Sequence, residues 1–333
     1  MGRGPTRDYY KIMNDDFVEG SLTCLKPEII KEKISEEFPL VLNVEPTNAC
    51  NAKCYYCTHE GVIKNQGINY LHVKDFRRVI DQIPPNKLIM LNLHKDGEPL
   101  LHEDLPLMVE YAKEKDAAET IHLNTNGILI NTKTGRGIIE RGIDDITISV
   151  DAAFEKTYQR LKGIKGIAVL EKNIKEIINY RDMIKSQTRI RVKIMEFNDV
   201  GKEEIECFSE KWDDVADDVQ VTGIHNWNGA IKNLNITDEK TSNRYPCALL
   251  WYMMAINSNG DVSVCCVDWD YSGVIGNIDK QNLRDIWNGE RVKKIRKSHL
   301  EGDWGYVPNC KECVLWVSAG NVWGFLKSRK EFI

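Results

Sequence analysis

A chain of 333 residues is long enough for one large core with a smaller unit attached. A formal charge of −5 gives no electrostatic reason to bind a phosphate backbone, so nucleic acid is not expected as a partner. No apolar run approaches a membrane span and no signal-peptide pattern opens the chain, so the ten cysteines read as reduced cytoplasmic thiolates rather than a disulfide framework.

Residues 1–38 form a mixed, charged leader with a helical stretch from Pro27 to Glu37. Met1 to Thr6 formally fits a myristoylation signal, but Pro5 and the lack of a second lipid or basic signal argue for coincidence. From 39 to about 230, short apolar runs alternate with longer amphipathic ones. Strands are predicted at Leu40–Val44, Lys87–Leu93, Thr120–Asn124, Asp145–Val150, Ile190–Met195 and Asp218–Gly223. Helices are predicted near Val73–Ile83, Leu105–Lys115, Gly135–Arg141, Ile167–Ile184 and Lys202–Lys211. Six strands separated by helices predict an α/β fold, a partial (β/α)6 TIM-like barrel with its ligands at the carboxyl ends of the strands.

From 231 to 333 the texture changes, and all eight tryptophans lie beyond Lys211. Asn257 to Asp261 reads as a hairpin turn between Trp251–Ile256 and Val262–Cys266, and Leu283–Lys297 reads as one amphipathic helix. Such a small α+β extension has little core of its own, and a metal cluster would staple it.

Seven of the ten cysteines fall into two spaced sets. Cys50, Cys54 and Cys57 follow the first predicted strand. Three thiolates can hold three corners of a four-iron cluster and leave one iron without a protein ligand, whereas a structural zinc wants four closed positions. The spacing, with aromatic Tyr56 before the last cysteine, resembles the C-x₃-C-x-aromatic-C loop of the radical S-adenosylmethionine (SAM) superfamily. That resemblance implies a [4Fe–4S] cluster whose open iron is chelated by SAM, with Tyr56 against the adenine.

Leu93 to Pro99 is similar to the superfamily's Gly-Gly-Glu-Pro motif, with Asp96 in place of the first glycine. The likeness implies that Gly97, Glu98 and Pro99 receive the amino group of SAM. Asn124 to Gly127 and Ser149 to Ala152 resemble strand-end positions that touch its ribose or methionine, which brings in Asn126 and Ser149. Asp151 reads instead as a cap for the following helix. Tyr158 to Gly163 aligns with a segment that carries an arginine to the SAM carboxylate. Lys162 stands at that place with Arg160 two residues earlier, and the assignment stays open between them.

Cys247, Cys265, Cys310 and Cys313 form the second set, and Gly260 to Cys265 resembles the Gly-x₄-Cys of SPASM and twitch extensions. Four ligands imply one closed auxiliary [4Fe–4S] cluster, for electron transfer or local structure; a zinc site on the same four is the alternative. Cys266, on the opposite face if the stretch is a strand, is either inert or a hydrogen-atom donor. Cys24 and Cys207 read as ordinary residues.

The resemblance implies radical chemistry. An electron enters the cluster, SAM is cleaved, and a 5′-deoxyadenosyl radical takes hydrogen from the substrate. A small polyol, sugar or aminocyclitol is favoured, with an alcohol oxidised to a ketone and the auxiliary cluster as electron acceptor, as in twitch dehydrogenases with this cysteine layout. An epimerase and a peptide-modifying maturase are alternatives, and a non-catalytic iron–sulfur protein is a remoter one. Too few residues precede Cys50 for a leader-recognition domain, which weighs against the peptide. His94, Lys95 and His225 fall at predicted strand ends and are candidates for the base a dehydrogenase needs. A flavodoxin or ferredoxin is the implied electron donor.

Overall fold

The computed structural model describes residues 25–35, 37–85, 88–196, 200–223, 226–227, 230–231, 244–318 and 324–325. Helix α1 (Pro27–Lys33) leads into β1 (Val41–Val44), α2 (His59–Gln66), α3 (Val73–Ile80) and β2 (Met90–Asn92). Helix α4 (Leu105–Glu114), β3 (Thr120–Thr125), α5 (Lys133–Glu140), β4 (Asp145–Ser149) and α6 (Glu155–Lys162) follow. The repeat closes with α7 (Ile167–Met183), β5 (Arg189–Glu196), α8 (Lys202–Trp212) and β6 (Asp218–Gly223). Beyond it lie β7 (Met253–Ile256), β8 (Asp261–Ser263), β9 (Val274–Asn277), α9 (Leu283–Trp287), α10 (Glu290–Glu301), α11 (Pro308–Lys311) and α12 (Leu315–Ser318).

Strands β1 to β6 stand side by side in chain order, and all pair in parallel. That is the expected partial β/α barrel, with strands such as β1 and β2 buried at every residue, as helix-covered parallel sheets require. The extension builds no separate sheet. Its first strand, β7, pairs in parallel with the outer side of β1, and β8 and β9 continue antiparallel into one nine-stranded sheet.

Two expectations shift. The helix predicted over Leu283–Lys297 is two helices, broken at Asn288 and Gly289, where Gly289 caps the start of α10. The second strand of the hairpin ends at Ser263, before the cysteines, because the chain turns at Val264 to Val267. Gly260 makes the expected turn, with φ +86° and its N–H donated to the Asn257 carbonyl at 2.9 Å.

The barrel interior is polar in one layer. Asn43, Asn92, His122 and Asp145 are register neighbours on β1 to β4. Asn92 donates to Asn43 at 3.3 Å and pairs with His122 Nδ1 at 2.8 Å, and Arg191 of β5 donates to Asp145 at 2.6 and 2.9 Å. These groups pair with one another as buried polar groups tend to, except that Asp145 Oδ1 has no hydrogen-bond partner. They floor the mouth where His94, Asn124, Ser149 and Lys193 stand.

Candidate functional site

Residues 50–57 form a loop between β1 and α2, held from the far side of the barrel. Lys53 N–H donates to the Lys162 carbonyl at 3.0 Å, and Tyr55 N–H to the Leu161 carbonyl at 3.2 Å. Gly163 follows at φ +69°, where a Cβ would sit 2.7 Å from the Lys53 carbonyl oxygen, so only glycine lets the end of α6 approach the loop. The loop thiols feel one another. Burial pushes Cys57 up to about 12, with Cys54, Asp96 and Cys50 adding to it. Cys50 is also raised, by burial and then by Glu98 and Cys54.

The Asp96-Gly97-Glu98-Pro99 turn packs on the chain just before Cys50. Glu98 N–H donates to the Ala49 carbonyl at 2.7 Å. A Cβ on Gly97 would lie 2.3 Å from the Thr47 carbonyl oxygen. Glu98 is buried and accepts from Leu100 N–H at 3.1 Å, Thr125 Oγ1 at 2.7 Å and Asn126 N–H at 2.8 Å. Pro99 opens the short turn that follows. Asn126 reaches the cysteine loop itself, its side-chain amide donating to Asn51 Oδ1 at 2.7 Å.

Asp151 does not cap α6, whose N-cap is Phe154. At φ +62° it turns into the barrel instead, where its Oδ2 accepts from Tyr56 Oη at 2.9 Å and Lys162 Nζ at 2.5 Å. Burial works against the Lys162 ammonium, but Asp151 and Cys54 together hold it above the usual lysine range. Arg160 is exposed on the outer side of α6, so of the two cations only Lys162 enters the site.

Cys247, Cys265, Cys310 and Cys313 line one cavity with Arg244, Val264, Val307 and Trp316. Burial raises all but Cys265 first of all, taking Cys313 up to about 11, and each of those three feels Cys265 next. Cys265 is raised first by its neighbour Cys266 and then by burial. Arg244 fastens the carboxyl-terminal pair by donating to the Cys310 and Lys311 carbonyls at 2.6 and 2.9 Å.

Both donor sets suit iron–sulfur ligation, being half-buried thiols, grouped together and all free of disulfides. Among the described residues no three metal-binding side chains close on one point as a single ion requires. Thiols spread around a larger space suit a four-iron group.

Residues 44–191 match the profile of the radical SAM superfamily, and residues 247–314 match that of SPASM, an iron–sulfur cluster-binding domain. This chain is a radical SAM enzyme with a SPASM extension. The two domains imply a SAM-binding [4Fe–4S] cluster and an auxiliary cluster. Cys50, Cys54 and Cys57 are the residues that fit the first, and the four extension cysteines fit the second.

Among curated proteins, the GTP 3′,8-cyclase of Staphylococcus epidermidis is 26% identical over 207 residues, 53% of this chain and 59% of the relative's length. The match therefore spans little more than half of that protein. The fold is similar to that of BtrN in complex with AdoMet and 2-DOIA, with a TM-score of 0.59 and 20% identity over 84% of this chain and 94% of that one. It is also similar to Streptococcus suis SuiB bound to the precursor peptide SuiA, with a TM-score of 0.64 and 18% identity over 91% and 76%.

In this radical SAM enzyme the two cysteine sets meet across a buried ionic seam. Lys95 Nζ pairs with Asp96, donates to the Asp268 carbonyl at 3.3 Å and lies 5.1 Å from the centre of the Tyr271 ring. Glu45 accepts from Asp96 N–H at 2.9 Å and from Ser258 N–H and Oγ at 2.9 and 2.7 Å. Burial raises Asp96 to about 7, against the pull of Lys95. Asp96 thus fills its glycine-like position without positive φ and ties the SAM loop to the extension.

The expected catalytic residues fare unevenly. Lys95 is locked in that seam. His94 accepts Asn124 N–H at Nδ1 (3.1 Å) and meets the Asn124 amide at Nε2 (3.0 Å). Burial, with the Lys193 charge, lowers it to about 3, too weak for a base at neutral pH. Cys266 is not on a strand, because the chain turns through Val264 to Val267, so the alternation that would put it on the face opposite Cys265 does not hold. His225 lies outside the described residues, as does Cys24. Sequence reading missed Lys193, although Arg189, Arg191 and Lys193 alternate along β5 at the period that fills a barrel interior. No helix among the described residues is long and apolar enough to cross a membrane.

Proposed function

We propose that this radical SAM enzyme oxidises an alcohol of a small polyol, sugar or aminocyclitol to a ketone. The observation that carries the reading is the auxiliary site, where four thiols line one cavity. A complete thiol set has no corner to offer a substrate, which suits it to accepting an electron. Cys266 follows Cys265 in a turn rather than standing on the opposite face of a strand, so epimerisation is the weaker reading.

When bound, SAM and the two clusters supply acceptors for the hydrogen atom and the electron that a carbinol loses, along with its hydroxyl proton, on becoming a ketone. The chain supplies position. Glu98, the Gly97 backbone, Asn126 and Pro99 shape the SAM loop, and the Asp151 pair with Lys162 seats the aromatic Tyr56 beside Cys57. Ser149 faces the mouth from the end of β4. The extension shields that mouth, since Trp269 packs against Gly61 of α2 and Lys95 seals the seam. A flavodoxin or ferredoxin completes the proposal as electron donor.

A peptide substrate is the second reading, prompted by the likeness to SuiB holding its precursor peptide. The test is anaerobic turnover of candidate polyols by the reconstituted enzyme, with hydrazine trapping of carbonyl product. Ketone formed together with 5′-deoxyadenosine is expected. The Cys310→Ala variant should still release 5′-deoxyadenosine while ketone disappears; ketone formed undiminished by that variant overturns the auxiliary cluster's role.

A further inference from the structure

Among the described residues, one cation at the barrel mouth has no counter-ion. Lys193 lies on β5 in register with Ser149 of β4, one inward position beyond Arg191. It is surrounded deep within the barrel yet keeps part of its surface accessible, as a group facing a chamber does. Among the described residues no carboxylate or hydrogen-bond acceptor meets its ammonium. Every neighbouring cation is matched: Lys162 by Asp151, Lys95 by Asp96, Arg191 by Asp145.

The surroundings sharpen the contrast. Asp151 is near enough to favour the Lys193 charge, but it is committed to Lys162 and Tyr56, and burial and Lys162 push the ammonium the other way. His94, its neighbour, stays neutral, as its depressed pKa shows. Among the described residues the chamber therefore carries a single unmatched positive charge, ringed by the neutral hydrogen-bonding groups of His94, Asn124 and Ser149. An isolated buried ammonium is costly, and the ordinary remedy is an anion beside it.

We infer that Lys193 receives an anionic oxygen of the substrate, from a carboxylate or a phosphate group. The inference rests on the reading of the barrel mouth as the substrate chamber, and within that reading it selects an acidic polyol or sugar over an amino-bearing one. A cationic amine in the same place would meet an unopposed like charge, whereas an anion would gain a charge-assisted hydrogen bond.

The test is protection of Lys193 from reductive methylation, read by mass spectrometry of the anaerobic, cluster-loaded enzyme. Inorganic phosphate and acetate serve as the phosphate and carboxylate probes, glycerol and choline as neutral and cationic ones, and exposed Lys172 as internal control. At four-fifths occupancy, one or both anions should slow labelling at Lys193 about fivefold and leave Lys172 unchanged. Whichever anion protects identifies the group.

The inference falls if neither anion protects, if glycerol or choline protects equally, or if SAM alone blocks Lys193, which would assign it to the cofactor. Labelling does not require turnover. Absence of a ketone product would overturn the proposed reaction and leave the protection result standing.

Discussion

Lys162 donates to Asp151 at 2.5 Å, and the same carboxylate oxygen receives the hydroxyl of Tyr56 from within the cysteine loop. One side chain thereby joins the end of β4, the last turn of α6 and the aromatic position of the three-cysteine motif. Asp151→Asn removes the charge and leaves Lys162 buried without a counter-ion. Stability should fall by about 3 kcal/mol in anaerobic denaturant titration. Adding Lys162→Met should restore most of it, because the pair is then removed together.

Gly97→Ala should abolish the SAM site more cleanly. The new methyl would meet backbone oxygen 2.3 Å away, with no flexible side chain to yield. The clash pushes on Thr47 to Ala49, the residues that deliver Cys50. Iron content should drop to that of the auxiliary cluster alone, as measured by iron and sulfide analysis against the Cys50→Ala variant. Wild-type iron content in Gly97→Ala would refute this.

Glu98→Gln keeps the shape and loses the charge. Its carboxylate accepts three hydrogen bonds, two of them from Thr125 and Asn126 at the end of β3. Hydrogen bonds to charged groups contribute about 1.5–3 kcal/mol, so SAM affinity should weaken at least about tenfold. Titration of the reduced cluster's electron paramagnetic resonance signal with SAM measures it. An unchanged midpoint would show that Glu98 serves only the loop.

His94 makes a pH prediction whose sign is fixed by its depressed value. Folded His94 stays neutral down to about 3, whereas in the unfolded chain it protonates near 6.5. Above 6.5 both states are neutral and the group adds no pH dependence. Below it the unfolded state binds the extra proton, so the stability of wild type relative to His94→Asn should decline by about 1.4 kcal/mol per pH unit towards pH 3. Parallel denaturation curves at pH 7.0 and 5.5 test it.

Much of this is legible in the sequence. The six parallel strands stand out because helices cover their outer face and packed side chains fill the barrel interior, so runs such as Asp145–Ser149 are buried almost throughout. Helix α6 is hard to read because half of its residues, Glu155 to Lys162, are charged, and β9 because only Ile275 among its four residues is buried. The choice between Arg160 and Lys162 required the rotation of α6, which two residues of spacing cannot supply. Asp151 was misassigned because a polar residue just before a helix looks like a cap whichever way its backbone turns. Lys193 was hidden by context, since alternating charge on a strand ordinarily marks the solvent side, and in this barrel it marks the lumen.

Strand β1 has neighbours on both flanks, β2 from the next βα unit and β7 from far down the chain. During synthesis its outer flank therefore stays bare until Met253 has left the ribosome, although the cysteines it carries emerged long before. A fragment stopped short of β7 would present that naked edge to any other chain and would stick to copies of itself. The extension is thus a closing clasp for the first strand as well as a home for a cluster, and the two halves are built to be made together.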